Sequence, residues 1–195
     1  MDQDEIKMEK KPQRETPSLL KARISQTCSR YFITCCAIRP TSVLVQSDCL
    51  RSIQQVIRRM HDEQDVHLYC STIMPDHVHL LFALGGHLPI SRVIAKIKGL
   101  TYRMLRANDV RWQANYYEHR LRADDLAELF ARYIFLNPYK DGLVSRNEEW
   151  PGWMIDQEYT PDFLSALDDG KYPPVEWIEE TAERMGLSTE SVGKD

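Results

Sequence analysis

The sequence predicts an α+β sandwich, an antiparallel sheet of four to five strands with helices packed on it in the ferredoxin or RRM-like order β-α-β-β-α-β-α. Three observations carry that expectation. Short runs of aromatic and β-branched residues alternate with longer stretches whose apolar positions recur at helical spacing. Two of the short runs are joined only by Met74, Pro75 and Asp76, a connection short enough for an antiparallel hairpin. Between a polar start and an acidic end lie roughly 130 residues, enough to bury a core.

Each element follows from its residues. Tyr31 to Ile38 (YFITCCAI) reads as a strand ending before Pro40. Ser47 or Asp48 is then placed to cap a helix whose apolar positions Leu50, Ile53, Val56, Ile57 and Met60 run to His61. Val66 to Ile73 (VHLYCSTI) and His77 to Leu84 (HVHLLFAL) are the hairpin strands. After Gly85 and Gly86 a second helix sets Ile90, Val93, Ile94, Ile97, Thr101, Met104 and Leu105 on one side. Its other side carries Arg92, Lys96, Lys98, Arg103 and Arg106. A fourth strand is expected at Tyr116 to Leu121, and a third helix from a cap at Asp124 or Asp125 to Asn137, where Pro138 is expected to stop it. The domain layout follows as a flexible arm over 1–19, a folded domain over 20–150 and an acidic tail over 151–195.

Charge sharpens that division. The net charge is -4, but residues 20 to 147 hold 18 basic and 11 acidic groups, while residues 148 to 195 hold 3 and 13. A body of net +7 suits an anionic partner and a steeply salt-dependent association. Five cysteines with no CxxC pair argue against both a disulfide framework and a zinc ribbon. The N-terminus lacks a signal-peptide core and charged residues or His interrupt every apolar run, so a cytoplasmic protein without membrane spans is expected.

In His77-Val78-His79 the period of a strand turns both imidazoles to one face and Val78, Leu80 and Phe82 to the other. Such a pair is either a bland polar pair or two ligands of one divalent cation. In the third helix Leu126, Leu129, Phe130, Tyr133 and Asn137 fall along one stripe, so Tyr133 and Asn137 point towards the sheet together. Tyr133 reads equally as a core aromatic and Asn137 as a helix-terminal residue. An amide on a buried stripe is accounted for if it is a third, oxygen ligand to a metal held by the two histidines.

MPDHVHLLF, the WQANYYEHRLR segment and RYIFLNPYKDGLV together resemble the IS200-type single-tyrosine transposases, and most closely the REP-associated tyrosine transposases, over about residues 28 to 150. The resemblance implies that His77 and His79 bind Mg²⁺ or Mn²⁺ with Asn137 as third ligand, and that Tyr133 is the nucleophile. It further implies a substrate of single-stranded DNA beside an imperfect hairpin, cleaved and rejoined through a 5′-phosphotyrosine, in a bacterial protein associated with the nucleoid when bound to DNA. Arg92, Lys96, Lys98, Arg103, Arg106 and Arg122 are candidate DNA contacts, against the alternative of a solvated face. Trp112, Tyr116 and Tyr117 are open to base stacking or to core packing, and His119 to a catalytic or a structural role. Mobile-element relatives work as dimers, so a homodimer and a monomer both stay open. The competing readings are a non-catalytic hairpin-binding regulator and a metallohydrolase using activated water. The acidic tail departs from the family's basic character, so either substrate recognition differs or the tail folds back over the basic surface.

Overall fold

The computed structural model describes residues 28–38, 42–181 and 184–187; the arm expected at 1–19 lies outside them. Five strands, β1 Arg30–Cys36, β2 Val66–Ile73, β3 His77–Leu84, β4 Tyr117–Arg120 and β5 Trp153–Ile155, form one sheet in the order β4-β1-β3-β2-β5. Every pairing is antiparallel. The helices are α1 Ser47–Asp62, α2 Ile90–Ala107, α3 Ala127–Lys140 and a single-turn α4 Val175–Ile178. Among the described residues, no helix is long and apolar enough to cross a membrane.

β3 lies at the centre of the sheet, and its alternation sorts the molecule into two cores. Val78, Leu80, Phe82 and Leu84 pack with Leu50, Ile53, Ile57 and Met60 of α1 and with Ile90, Val93, Ile94 and Ile97 of α2. Leu81 faces the other way and joins Phe32, Cys70 and the α3 residues Phe130, Tyr133 and Ile134. The sheet therefore separates α1 and α2 from α3.

The hairpin strands match the expected bounds, because Met74-Pro75-Asp76 leaves no slack: the Met74 N–H donates to the His77 carbonyl at 2.8 Å. The helix ends differ from expectation. Gln46, not Ser47 or Asp48, occupies the N-cap of α1 without a side-chain cap bond, and Asp48 instead sits in the first turn, paired with Arg51. There it still complements the helix dipole. Neither Asp124 nor Asp125 caps α3; its N-cap is Leu126, which is exposed rather than on the buried stripe.

Pro138 does not stop α3. The helix runs through it to Lys140, and the stop is Gly142 in the left-handed region (φ 65). The Gly142 N–H donates to the Tyr139 carbonyl and the Leu143 N–H to the Pro138 carbonyl, so the terminal carbonyls are satisfied by a Schellman turn. α1 and α2 end in the same way. Gln64 (φ 60) and Asp109 (φ 55) take the left-handed position, with Asp65 N–H on Met60 O and Val110 N–H on Leu105 O.

The turn at Gln64 explains a glycine. A Cβ on Gly85 would stand 1.7 Å from the Gln64 carbonyl oxygen, and the Gly85 N–H already donates to the Asp65 carbonyl at 3.0 Å. Both neighbours are backbone, so neither gives way cheaply. Gly85→Ala is expected to cost about 3 kcal/mol and to lower the melting temperature by roughly 6–12 °C, measured by thermal circular dichroism.

The segment expected as an acidic tail is built into the fold. β5 extends the sheet, pairing Thr72 with Trp153 and Cys70 with Ile155. Phe163, Met185 and Leu187 enter the core beneath α3. Arg132 of α3 stacks on Trp177 at 4.0 Å and pairs with Glu180. α3 is therefore covered on two sides, which is why Phe130, Ala131 and the whole run from Tyr133 to Tyr139 are buried. The described tail residues thus pack on α3 and, through Pro151, Met154 and Asp156, against α1 and its core, rather than over the basic face of α2.

Candidate active site

His77 and His79 project from β3 onto the α3 face. Their Nε2 atoms stand 3.1 Å apart. Each ring is set from behind: His77 Nδ1 lies 2.8 Å from the Asp76 carboxylate, and His79 Nδ1 lies 2.8 Å from Thr34 Oγ1 across the strand pair. With Nδ1–H donating to those acceptors, both Nε2 lone pairs point into the same space. Two nitrogens bound at ~2.1 Å and at right angles around one metal ion would be ~3.0 Å apart, so the pair has the separation of adjacent ligands. Oriented imidazoles with acceptors behind them are also the usual outer support of a metal site.

Asn137 completes the group. Its amide nitrogen donates to the Tyr133 carbonyl at 2.8 Å, and its side chain lies within hydrogen-bond reach of the His79 ring. Two imidazoles and one amide oxygen are neutral donors that fit a divalent cation and leave room for phosphate oxygens and water. Among the described residues no set of three or more His, Cys, Asp and Glu forms a metal cluster.

Tyr133 is buried, with its ring centroid 5.8 Å from that of His79 and 6.0 Å from that of Phe32, edge-on to both. Phe32 also stacks on His79 at 5.3 Å and touches Phe130 at 5.5 Å. This aromatic hub fixes α3 against the metal-ligand candidates. His77, His79, Tyr133 and Asn137 are thereby brought together on one face.

Burial, reinforced by the neighbouring His77, holds His79 well below the ordinary imidazole range, with the Asn137 bond opposing. Its folded-state affinity for a proton is depressed. In the window below the ordinary value of about 6.5, the unfolded chain binds the proton and the folded chain does not, so stability falls with falling pH until the folded pKa is reached. Denaturant titrations of the metal-free protein are expected to show this loss, with a slope of up to about 1.4 kcal/mol per pH unit; His79→Gln is expected to remove that contribution.

The expected DNA-contact residues divide. Arg92, Arg103 and Arg106 are exposed on α2. Lys96 is engaged by Glu63 at 2.6 Å and by Asp65, and Lys98 donates to the Gln113 and Asn115 carbonyls at 2.8 and 2.9 Å, so both tie α2 to neighbouring segments. Trp112 donates from Nε1 to Thr101 Oγ1 at 2.8 Å and packs against the α1/α2 core, as does Tyr116; these are core uses rather than open stacking platforms. Arg122 is exposed beside β4. The whole of α2 lies across the sheet from His77 and His79, so the structure does not place the basic helix at the face of the candidate metal ligands.

Thr34 was missed by sequence reasoning, since nothing in YFITCC marks one threonine until the register sets Thr34 opposite His79. Asp76 carried a signal, a carboxylate immediately before the first histidine, but its bond to the ring is visible only in the fold.

The family model described as "Transposase IS200 like" matches residues 25–134, more than half of the chain. The match includes His77, His79 and Tyr133, and Asn137 lies just beyond it. A structure of a REP-associated tyrosine transposase bound to a REP hairpin aligns with a TM-score of 0.60 and 19% identity, over 78% of this chain and 89% of that one. At that identity the likeness establishes the shared fold. A crystal structure of a candidate transposase from Deinococcus radiodurans aligns with a TM-score of 0.42 and 19% identity, over 50% of this chain and 83% of that one, too loosely to bear on the site. No curated protein matches the chain.

Proposed function

The chain belongs to the IS200-like transposase family, and from that premise we propose that it cuts and rejoins single-stranded DNA beside a hairpin, with Tyr133 as nucleophile and a divalent cation held by His77, His79 and Asn137. The observation that carries this reading is the 3.1 Å convergence of the two Nε2 atoms with Tyr133 and Asn137 packed over them. The resemblance of the motifs to REP-associated tyrosine transposases, and the hairpin bound by the structural neighbour, support the substrate class.

The residues divide the work. Asp76 and Thr34 hold the imidazoles with Nε2 forward. Phe32 and the α3 packing hold the Tyr133 ring and exclude water from its flanks. A bound Mg²⁺ or Mn²⁺ would supply Lewis-acid stabilisation of the phosphate and of charge on the departing oxygen. The Tyr133 phenolic oxygen, giving up its proton, forms a bond to phosphorus as the P–O3′ bond breaks, and the departing oxygen gains a proton to become a free 3′-OH. The DNA 5′ end stays on Tyr133 as a phosphodiester. Another 3′-OH can then attack that phosphorus and restore the phenol, which joins strands without an external energy source. Water-based hydrolysis would discard that option.

The test is incubation with labelled single-stranded hairpin oligonucleotides and Mn²⁺. A protein–DNA adduct that survives denaturing electrophoresis is expected. Cleavage to free 5′ phosphates with no adduct would favour the hydrolase, and binding with neither would favour a regulator that keeps the fold.

A further inference from the structure

A second histidine is oriented on the same face of the sheet. His119 lies on the edge strand β4, directly opposite Phe32 in the register, so it faces α3 as His79 does. Its Nε2 lies 2.9 Å from Asp125 Oδ2, and the same carboxylate oxygen accepts the Arg122 N–H at 2.8 Å. Its ring stacks on Phe130 at 5.2 Å and 21°. Phe130 is one turn before Tyr133, and both rings touch Phe32.

Asp125, one of the two residues expected to cap α3, bonds the imidazole instead. The Arg122 backbone N–H and the His119 ring outweigh the effect of burial and hold its carboxyl below the usual range. An ionised carboxylate behind one ring nitrogen fixes the orientation of the imidazole. The other nitrogen, Nδ1, makes no hydrogen bond among the described residues, and the side chain keeps 18% of its surface exposed.

Position gives this imidazole its ligand. The exposed arginines of α2 and the Tyr133 site lie on opposite faces of the sheet. Lys98 anchors α2 to the carbonyls of Gln113 and Asn115 just before β4, an edge strand of the sheet, so a chain crossing from one face to the other at this edge would pass β4. His119 stands on that route.

We propose that the His119–Asp125 pair seats a backbone phosphate of the single-stranded substrate on the Tyr133 face of the sheet, Nε2–H of His119 being held by Asp125 and Nδ1–H donating to the phosphate when the ring carries both protons; this rests on the single-stranded DNA reading above. The test is equilibrium binding of a fluorescent single-stranded hairpin oligonucleotide over a salt series, which needs no chemistry at Tyr133. His119→Phe keeps the stack on Phe130 and removes both ring nitrogens, and Asp125→Asn keeps the size of the orienting group and removes its charge. His119→Phe, shown folded by circular dichroism, is expected to weaken binding five- to tenfold and to reduce the slope of log affinity against log salt by roughly 0.7, the value of one phosphate contact on a single strand. Asp125→Asn is expected to weaken binding less, in the same direction. Wild-type affinity and slope in a folded His119→Phe would overturn the pair's role while leaving the wider reading intact. A wild-type chain that does not bind the strand at all would overturn both.

Discussion

Tyr133→Phe is expected to eliminate the covalent protein–DNA adduct completely while leaving binding of a single-stranded hairpin within about twofold. The substitution removes one oxygen from a ring that is held by Phe32 and by its approach to His79, and those edge contacts involve the ring rather than the hydroxyl. The fold should therefore survive, at a cost of ~1 kcal/mol. No neighbouring side chain substitutes for the phenol. Asn137 commits its amide nitrogen to the Tyr133 carbonyl, and a neutral amide is not a nucleophile towards phosphorus. A residual adduct in Tyr133→Phe would move the nucleophile elsewhere.

The second large effect concerns the proposed metal site. His77→Ala is expected to lower the affinity for Mn²⁺ by at least about 100-fold, and to abolish adduct formation at metal concentrations that saturate the wild type. His77 is the better residue to remove than His79, because it stands half-buried at the rim while His79 is 1% exposed and stacked on Phe32. Alanine at 79 would leave a cavity in the core and confuse folding with metal affinity. Manganese binding followed by electron paramagnetic resonance reads the effect without reference to activity. Wild-type affinity in His77→Ala would show that the converging nitrogens are a polar pair and not a ligand pair.

The parts of the molecule legible in the sequence are those dictated by local periodicity. β2 and β3 could be bounded to the residue because alternation and a three-residue connection fix their ends, although the pairing shifts at a bulge between Leu68 and Cys70. The same alternation put His77 and His79 on one face, and helical spacing brought Tyr133 and Asn137 with them. The end of α3 was misread because Pro138 is a strong stop signal in isolation, whereas tertiary contacts around Phe135, Leu136 and Tyr139 carry the helix to a left-handed Gly142. β5 has only three residues, too few to show a period, and the acidity around it hid the apolar positions Phe163, Met185 and Leu187. Charge counting found the basic helix but could not tell Lys96 and Lys98, engaged internally, from Arg92, Arg103 and Arg106, which are exposed. Nor could it show that the sheet stands between that helix and the face of the candidate metal ligands.

The net charge reads differently in three dimensions. The acidic C-terminal residues are part of the packing that buries the Tyr133 helix, through Trp177 and Glu180 on Arg132. The basic surface on α2 is left facing outwards, across the sheet.

The central claim is that Tyr133 becomes the point of covalent attachment to DNA. Digesting the adduct with protease and nuclease and locating the residual nucleotide by tandem mass spectrometry tests it directly. The account requires a 5′-linked nucleotide on Tyr133 in the peptide spanning α3. A nucleotide on Tyr117, Tyr139 or any other residue, or adduct-free cleavage ending in 5′ phosphates, would contradict it.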